Sequence, residues 1–185
     1  EVVIDTKGAA ETTVPDSMIQ QIKTAGDEGK DTAIYMINGA IIIDDVSASA
    51  LPNGDKDISI YKVQPPTPLM QELMGRPVFA VQLGDVHEFE GELTISLKYT
   101  LNPLDDQDNV VIWYLTSEEN YEKIPATYAD GYVTFTVNHL STFAIMFEEP
   151  SGGNSDNTAL IVAIVIVVIA VAGVGAFFFL KKKQQ

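Results

Sequence analysis

The feature that most constrains this chain is a run of 22 residues, Ala159 to Leu180, with no charge, no proline and no polar side chain. It reads ALIVAIVIVVIAVAGVGAFFFL and is followed at once by Lys181, Lys182 and Lys183. At 1.5 Å per residue a helix of that length measures about 33 Å, enough to cross a hydrocarbon core of about 30 Å. Apolar side chains cover every face of it, which does not suit a helix lying on a soluble core. The run predicts a single C-terminal transmembrane helix, entered at Ala159 and Leu160 and closed by Phe177, Phe178, Phe179 and Leu180.

Lys181, Lys182 and Lys183 form a stop-transfer cluster. By the positive-inside rule they put the 181–185 tail in the cytoplasm and the preceding residues outside the cell. The chain holds 11 Lys and Arg against 26 Asp and Glu. Without the three tail lysines, 8 bases face 26 acids, so the outer part carries a charge of −18. The competing topology, a tail-anchored cytoplasmic adaptor, sets the lysines on the wrong side. An outer region also needs an export signal or an earlier span. The chain opens on Glu1 in EVVIDTKGA, with no basic start and apolar core. It reads as the C-terminal piece of a longer chain, or as one whose signal has been removed. With no cysteine, disulfides play no part.

So acidic a surface excludes nucleic acid as a partner, because neutralising phosphate takes Lys and Arg. The partners to expect are the lipid bilayer and other cell-surface proteins or envelope polymers. The oligomeric state cannot be read from the sequence.

Periodicity divides what lies before the span. Val2–Ile4 reads as a strand, and Pro15 opens a helix, PDSMIQQIKTAG, with Thr13 near its cap and Gly26 at its stop. The apolar runs TAIYMI and GAIII are split by Asn38-Gly39, a strong hairpin signal. Asp44 and Asp45 can cap a short helix, and 57–63 reads as a strand. Three prolines in 64–68 mark a boundary or crossover, with a helical turn or two before Gly75. From Pro77 onward six runs alternate as strands: VFAVQL, ELTISLKYT, NVVIWYLT, YEKIPA, YVTFTV and TFAIMF. Short strands with turns at this spacing indicate a sandwich or barrel. The expected fold is mainly β, a β-sandwich ectodomain with one or two short helices, plus the C-terminal span. Residues 1–64 form an α+β subdomain or the first part of the sandwich. The sandwich module covers 65–149, a Gly/Ser/Asn linker 150–158, the span 159–180 and the basic tail 181–185.

The later strands carry a resemblance. Gly131, Val133, Thr134, Phe135, His139, Ser141, Phe143, Ala144 and Ile145 follow a closing hairpin pattern, and Phe89, Gly91, Leu93–Leu97 and Tyr99 an upstream one. Together these resemble the β-sandwich modules of prokaryotic surface-layer and adhesin-like proteins, over most of residues 76–148. The resemblance implies a membrane-anchored C-terminal module that presents more distal ones. No LPxTG precedes the span, so sortase transfer to a cell wall is not implied.

Nothing in the chain makes a catalytic signature, and it is read as a non-enzyme. His139 and Ser141, two apart on a strand, lack a third orienting group and read as residues flanking a turn. His87 stands alone, and two histidines without cysteine are too few for structural zinc. Asp105, Asp106, Asp108 and Asn109 are the best cation candidates, since Ca²⁺ takes several carboxylate and carbonyl oxygens. They lack the EF-hand spacing, and Asp and Asn also suit a plain β-turn. Asp44, Asp45, Asp55 and Asp57 share that ambiguity. Lys98 is a candidate for an intramolecular isopeptide bond, and Trp113, Tyr114, Phe135 and Phe143 for a glycan-stacking face, though packing explains these aromatics as well. No cofactor is required. Two roles follow: anchoring and presenting extracellular modules, or binding Ca²⁺, glycan or peptide at the surface.

Overall fold

The computed structural model describes residues 1–6 and 8–148. The expected span with Ala159, Leu160, Phe177, Phe178, Phe179 and Leu180, and the lysines 181–183, lie outside the described residues. Among the described residues, no helix is long and apolar enough to cross a membrane.

Twelve strands form two six-stranded sheets among the described residues. The first contains β1 (Val2–Asp5), β3 (Thr32–Met36), β4 (Gly39–Ile43), β7 (Glu88–Lys98), β11 (Tyr132–His139) and β10 (Thr127–Ala129), in that spatial order. The second runs β2 (Glu11–Val14), β5 (Lys56–Val63), β6 (Val78–Leu83), β12 (Thr142–Phe147), β8 (Val110–Leu115) and β9 (Tyr121–Pro125). All pairings are antiparallel except β1 with β3, where Val2 lies opposite Thr32. Residues 1–64 supply strands to both sheets, so they belong to the sandwich. The three prolines of 64–68 mark neither a boundary nor a crossover: they begin the long connection between β5 and β6, which are antiparallel neighbours in one sheet.

The alternating residues of β7 and β11 explain the core. Leu93, Ile95 and Leu97 and Val133, Phe135 and Val137 are buried, and they share one cluster with Ile58, Ile60, Phe79, Ile112, Phe143 and Ile145 of the other sheet. Phe135 and Phe143 meet across the two sheets at 5.0 Å between ring centroids. Side chains this fully removed from water contribute about 1.5–3 kcal/mol each before conformational entropy is set against them.

Two helices add to the same cluster. α1 (Asp16–Asp27) contributes Ile19 and Ile22, and α2 (Asp45–Ala50) contributes Ala48. The expected caps are partly reassigned. Thr13 does not cap α1; its hydroxyl bonds Asp57, and the Asp16 N–H donates instead to Asp55 from a distant loop. Asp44 does cap α2, accepting from the Ser47 N–H at 2.8 Å. Gly26 does not stop α1. It lies inside the helix, where an added Cβ would sit 2.5 Å from the Ser49 nitrogen, so it is what lets α2 approach.

The second sheet is covered on its outer face too. A strap of one 3-10 turn (Thr67–Leu69) and α3 (Met70–Leu73) lays Leu69 and Leu73 on Val78, Trp113, Leu115, Ala144 and Met146. That double cover is why Phe143 to Met146 are all buried instead of alternating.

Candidate functional site: the Arg76–Asp105 corner

The strap ends in a sharp reversal. Met74 (φ 47°) and Gly75 (φ 76°) both take the left-handed conformation, and the Arg76 N–H returns to the Leu73 carbonyl at 2.8 Å. Left-handed backbone costs a non-glycine residue roughly 1–2 kcal/mol, so Met74 is held there by its surroundings. The reversal aims Arg76, the chain's single arginine, at the loop that follows β7.

That loop is organised by Asp105. The Asp105 N–H donates to the Asn102 carbonyl at 2.9 Å, and the Asn102 N–H donates back to the Asp105 carboxylate at 2.7 Å. The same carboxylate accepts from Arg76 at 2.5 Å and from the Tyr99 hydroxyl at 2.6 Å. The Asn102 side chain bonds both Tyr99 and Asp105. The Asp105 side chain is fully buried, while that of Arg76 is 22% exposed and lies over the Phe147 ring, 4.9 Å from its centroid.

Electrostatics follow from this arrangement. Burial alone would raise the Asp105 pKa, but the bonds from Tyr99, the Asn102 N–H and Arg76 outweigh it and hold the carboxyl below its ordinary range. Burial opposes the charge on Arg76, and Asp105 overcomes that and pushes its pKa up. Tyr99 is raised by burial and by Asp105 beside it.

The four cation candidates are therefore placed in different roles. Asp105 points inward to Arg76. Asp106 caps a single 3-10 turn (Gln107–Asn109), accepting from the Asp108 N–H at 3.1 Å and from the Asn109 side chain at 2.7 Å. Asp108 is exposed, and the Asn109 carbonyl accepts from the Glu148 N–H. Among the described residues, no group of three or more His, Asp or Glu side chains converges to hold a metal ion. A Ca²⁺ at Asp105 would have to displace Arg76.

The other candidates resolve as packing. The His139 ring lies 4.2 Å from that of Tyr114 and 6.1 Å from that of Phe143, and its Nδ1 is buried without a partner among the described residues. Burial pushes the His139 pKa down, partly opposed by Glu122 and Glu88. The Ser141 carbonyl accepts from the Val81 N–H. No hydrogen bond joins His139 to Ser141 among the described residues, and no ion pair joins Lys98 to a carboxylate. Trp113 stacks on Tyr121 at 3.6 Å beneath the strap, while Phe135 and Phe143 are in the core.

Beside the Arg76–Asp105 pair lies a cavity of ~680 Å³ lined by Asn38, Lys62, Met74, Lys98, Thr100 and Leu104 among others. Sequence reasoning missed this corner. The available signal was the lone arginine between Gly75 and Pro77, in a stretch otherwise poor in charge.

No protein-family model matches the chain, and no curated protein matches it. The residues that carry the surface-protein resemblance lie on β7, on the β10–β11 hairpin and on β12, except Tyr99, which follows β7, and Ser141, which lies between β11 and β12.

Proposed function

We propose that this chain is the membrane-proximal part of a cell-surface protein, with an extracellular β-sandwich held at the bilayer by one C-terminal span. Its role is structural and adhesin-like: to anchor and present extracellular modules. The observation that carries this reading is the run Ala159–Leu180 closed by Lys181–Lys183, separated from position 149 by the nine residues 150–158. The sandwich suits a tethered part. The last strand before the linker, β12, is paired on both sides, with β6 through Thr142–Ala144 and with β8 through Phe143–Phe147. Tension arriving from the C-terminal side meets the β8 ladder at Phe147 and reaches the β6 ladder at Thr142–Ala144. The motif resemblance to prokaryotic surface-layer and adhesin-like modules points the same way.

Fractionation tests the proposal. The full chain should stay with membranes through alkaline carbonate and leave them only with detergent, while deletion of 159–180 should release it. Recovery of the full chain in the carbonate supernatant would overturn the reading.

A further inference from the structure

In a chain with 26 acidic residues, a basic side chain readily finds a carboxylate. Eleven basic residues less the three tail lysines and Lys7 leave seven among the described residues. Lys30, Lys56, Arg76 and Lys123 each face an acid, and Lys23 donates to the Asn53 side chain. Lys62 and Lys98 are the two with neither kind of partner among the described residues. Both are exposed, and both line the same ~680 Å³ cavity.

We propose that this cavity docks an acidic peptide segment carrying a bulky aliphatic side chain next to its carboxylate. The Arg76–Asp105 pair is internally neutral and fixed by Tyr99 and Asn102, so it forms a rigid wall and contributes no net charge. Lys62 and Lys98 leave the cavity cationic, on a molecule whose net charge is −15. An acidic segment is repelled elsewhere on this surface and attracted here, which favours recognition and fast encounter. Lys62 stands opposite Phe79 on β6, and its ammonium lies 5.7 Å from the centre of that ring.

The rest of the cavity specifies what accompanies the carboxylate. Met74 is 78% exposed and Leu104 is 96% exposed, the two most exposed large apolar side chains among the described residues. Both border the cavity. They are aliphatic and flexible, suited to another aliphatic side chain. A sugar ring would want an open aromatic face, but Tyr99, the aromatic residue of the lining, is only 9% exposed. Peptide is thus favoured over glycan. Two copies of a chain at −15 repel each other, so the segment belongs to a separate protein; the site stands whether or not the anchoring reading holds.

The test uses the full chain in detergent micelles and the fluorescein-labelled peptide Gly-Glu-Leu-Glu-Leu-Gly, followed by anisotropy. The expected result is saturable binding that K62E and K98E each weaken, and that the double variant weakens by about tenfold or more. K30E changes the net charge equally but lies outside the cavity, and should bind as wild type does. A peptide with Ser in place of Leu should bind more weakly. Sedimentation should show a monomer while the peptide results hold; dimers that the peptide dissolves and K62E/K98E lacks would assign the cavity to a second copy and overturn the separate partner. Absence of saturable binding, or equal binding by wild type and K62E/K98E, overturns the proposal. So does lysine-dependent binding of polygalacturonate with none of the peptide, which would make this a glycan site.

Discussion

Replacing Asp105 by Ala should destabilise the sandwich far more than any other change in the acidic run that contains it. The substitution strips the acceptor from Arg76, from the Tyr99 hydroxyl and from the Asn102 N–H at once. Removing one member of a buried ion pair costs about 3–5 kcal/mol, because the other charge is left without compensation. Arg76 is 22% exposed and can recover some hydration, which lowers the figure to about 2–3 kcal/mol. For a domain of this size that corresponds to a fall in Tm of roughly 5–10 °C. Urea denaturation followed by the fluorescence of Trp113, the chain's single tryptophan, gives the midpoint and slope. Asp108→Ala, at an exposed side chain, should stay within about 0.5 kcal/mol of wild type. Acid adds a second readout. The folded pKa of Asp105 lies below its unfolded value, so its stabilisation is complete above about pH 4 and drains away as pH falls through the folded value. Asp105→Ala should lack that part of the acid dependence. Equal midpoints for the Asp105 and Asp108 variants would refute the reasoning.

Three further changes probe other parts of the fold. Gly26→Ala gains up to about 1 kcal/mol of helix propensity, but its Cβ would lie 2.5 Å from the Ser49 nitrogen and 2.6 Å from the Asp45 oxygen. The clash should dominate, with a net loss of about 1–2 kcal/mol in a urea titration; a variant as stable as wild type would show that α2 moves freely. Phe143→Ala empties a fully buried site against Phe135 and should cost about 3–5 kcal/mol by the same measure, and a loss below 1 would contradict the placement of the core. His139 has a folded pKa below its ordinary value, so the stability tied to its neutral form is complete above about pH 6.5 and is lost as pH falls through the depressed value. His139→Phe should flatten Tm against pH over that window, and an unchanged slope would assign the dependence to other groups.

Much of the architecture was legible because β7 and β11 alternate cleanly between core and polar residues. Where local pattern and tertiary need diverge, the sequence misled. The apolar runs around Asn38-Gly39 do form a hairpin, yet Met36 pairs with Gly39, so Ile37 and Asn38 make the turn. Gly39 matters for another reason: a Cβ there would fall on the Ser96 carbonyl of β7. The two-residue hairpin turn with left-handed backbone at both positions joins β10 to β11 at Asp130-Gly131 (φ 52° and 85°), and in the sequence Gly131 stands out only within the surface-protein motif. Gly26 read as a helix stop because a close approach between helices leaves no local trace. The short edge strands β2 and β10 leave no periodic signal, β2 because three of its four residues are polar and β10 because it is three residues long. At the candidate site, Asp105 looked the same whether a cation or a guanidinium faced it. Arg76 lies 29 residues away, and only the fold brings it there.

The measurement that bears most directly on the anchored-ectodomain account is the sidedness of the chain in intact cells that produce it. The native protein has no cysteine, so a single Cys reports without background. A membrane-impermeant maleimide should label a Ser155→Cys variant on intact cells, and a Gln185→Cys variant only after lysis. Protection of the residue 155 thiol until lysis would put the sandwich in the cytoplasm and contradict the account.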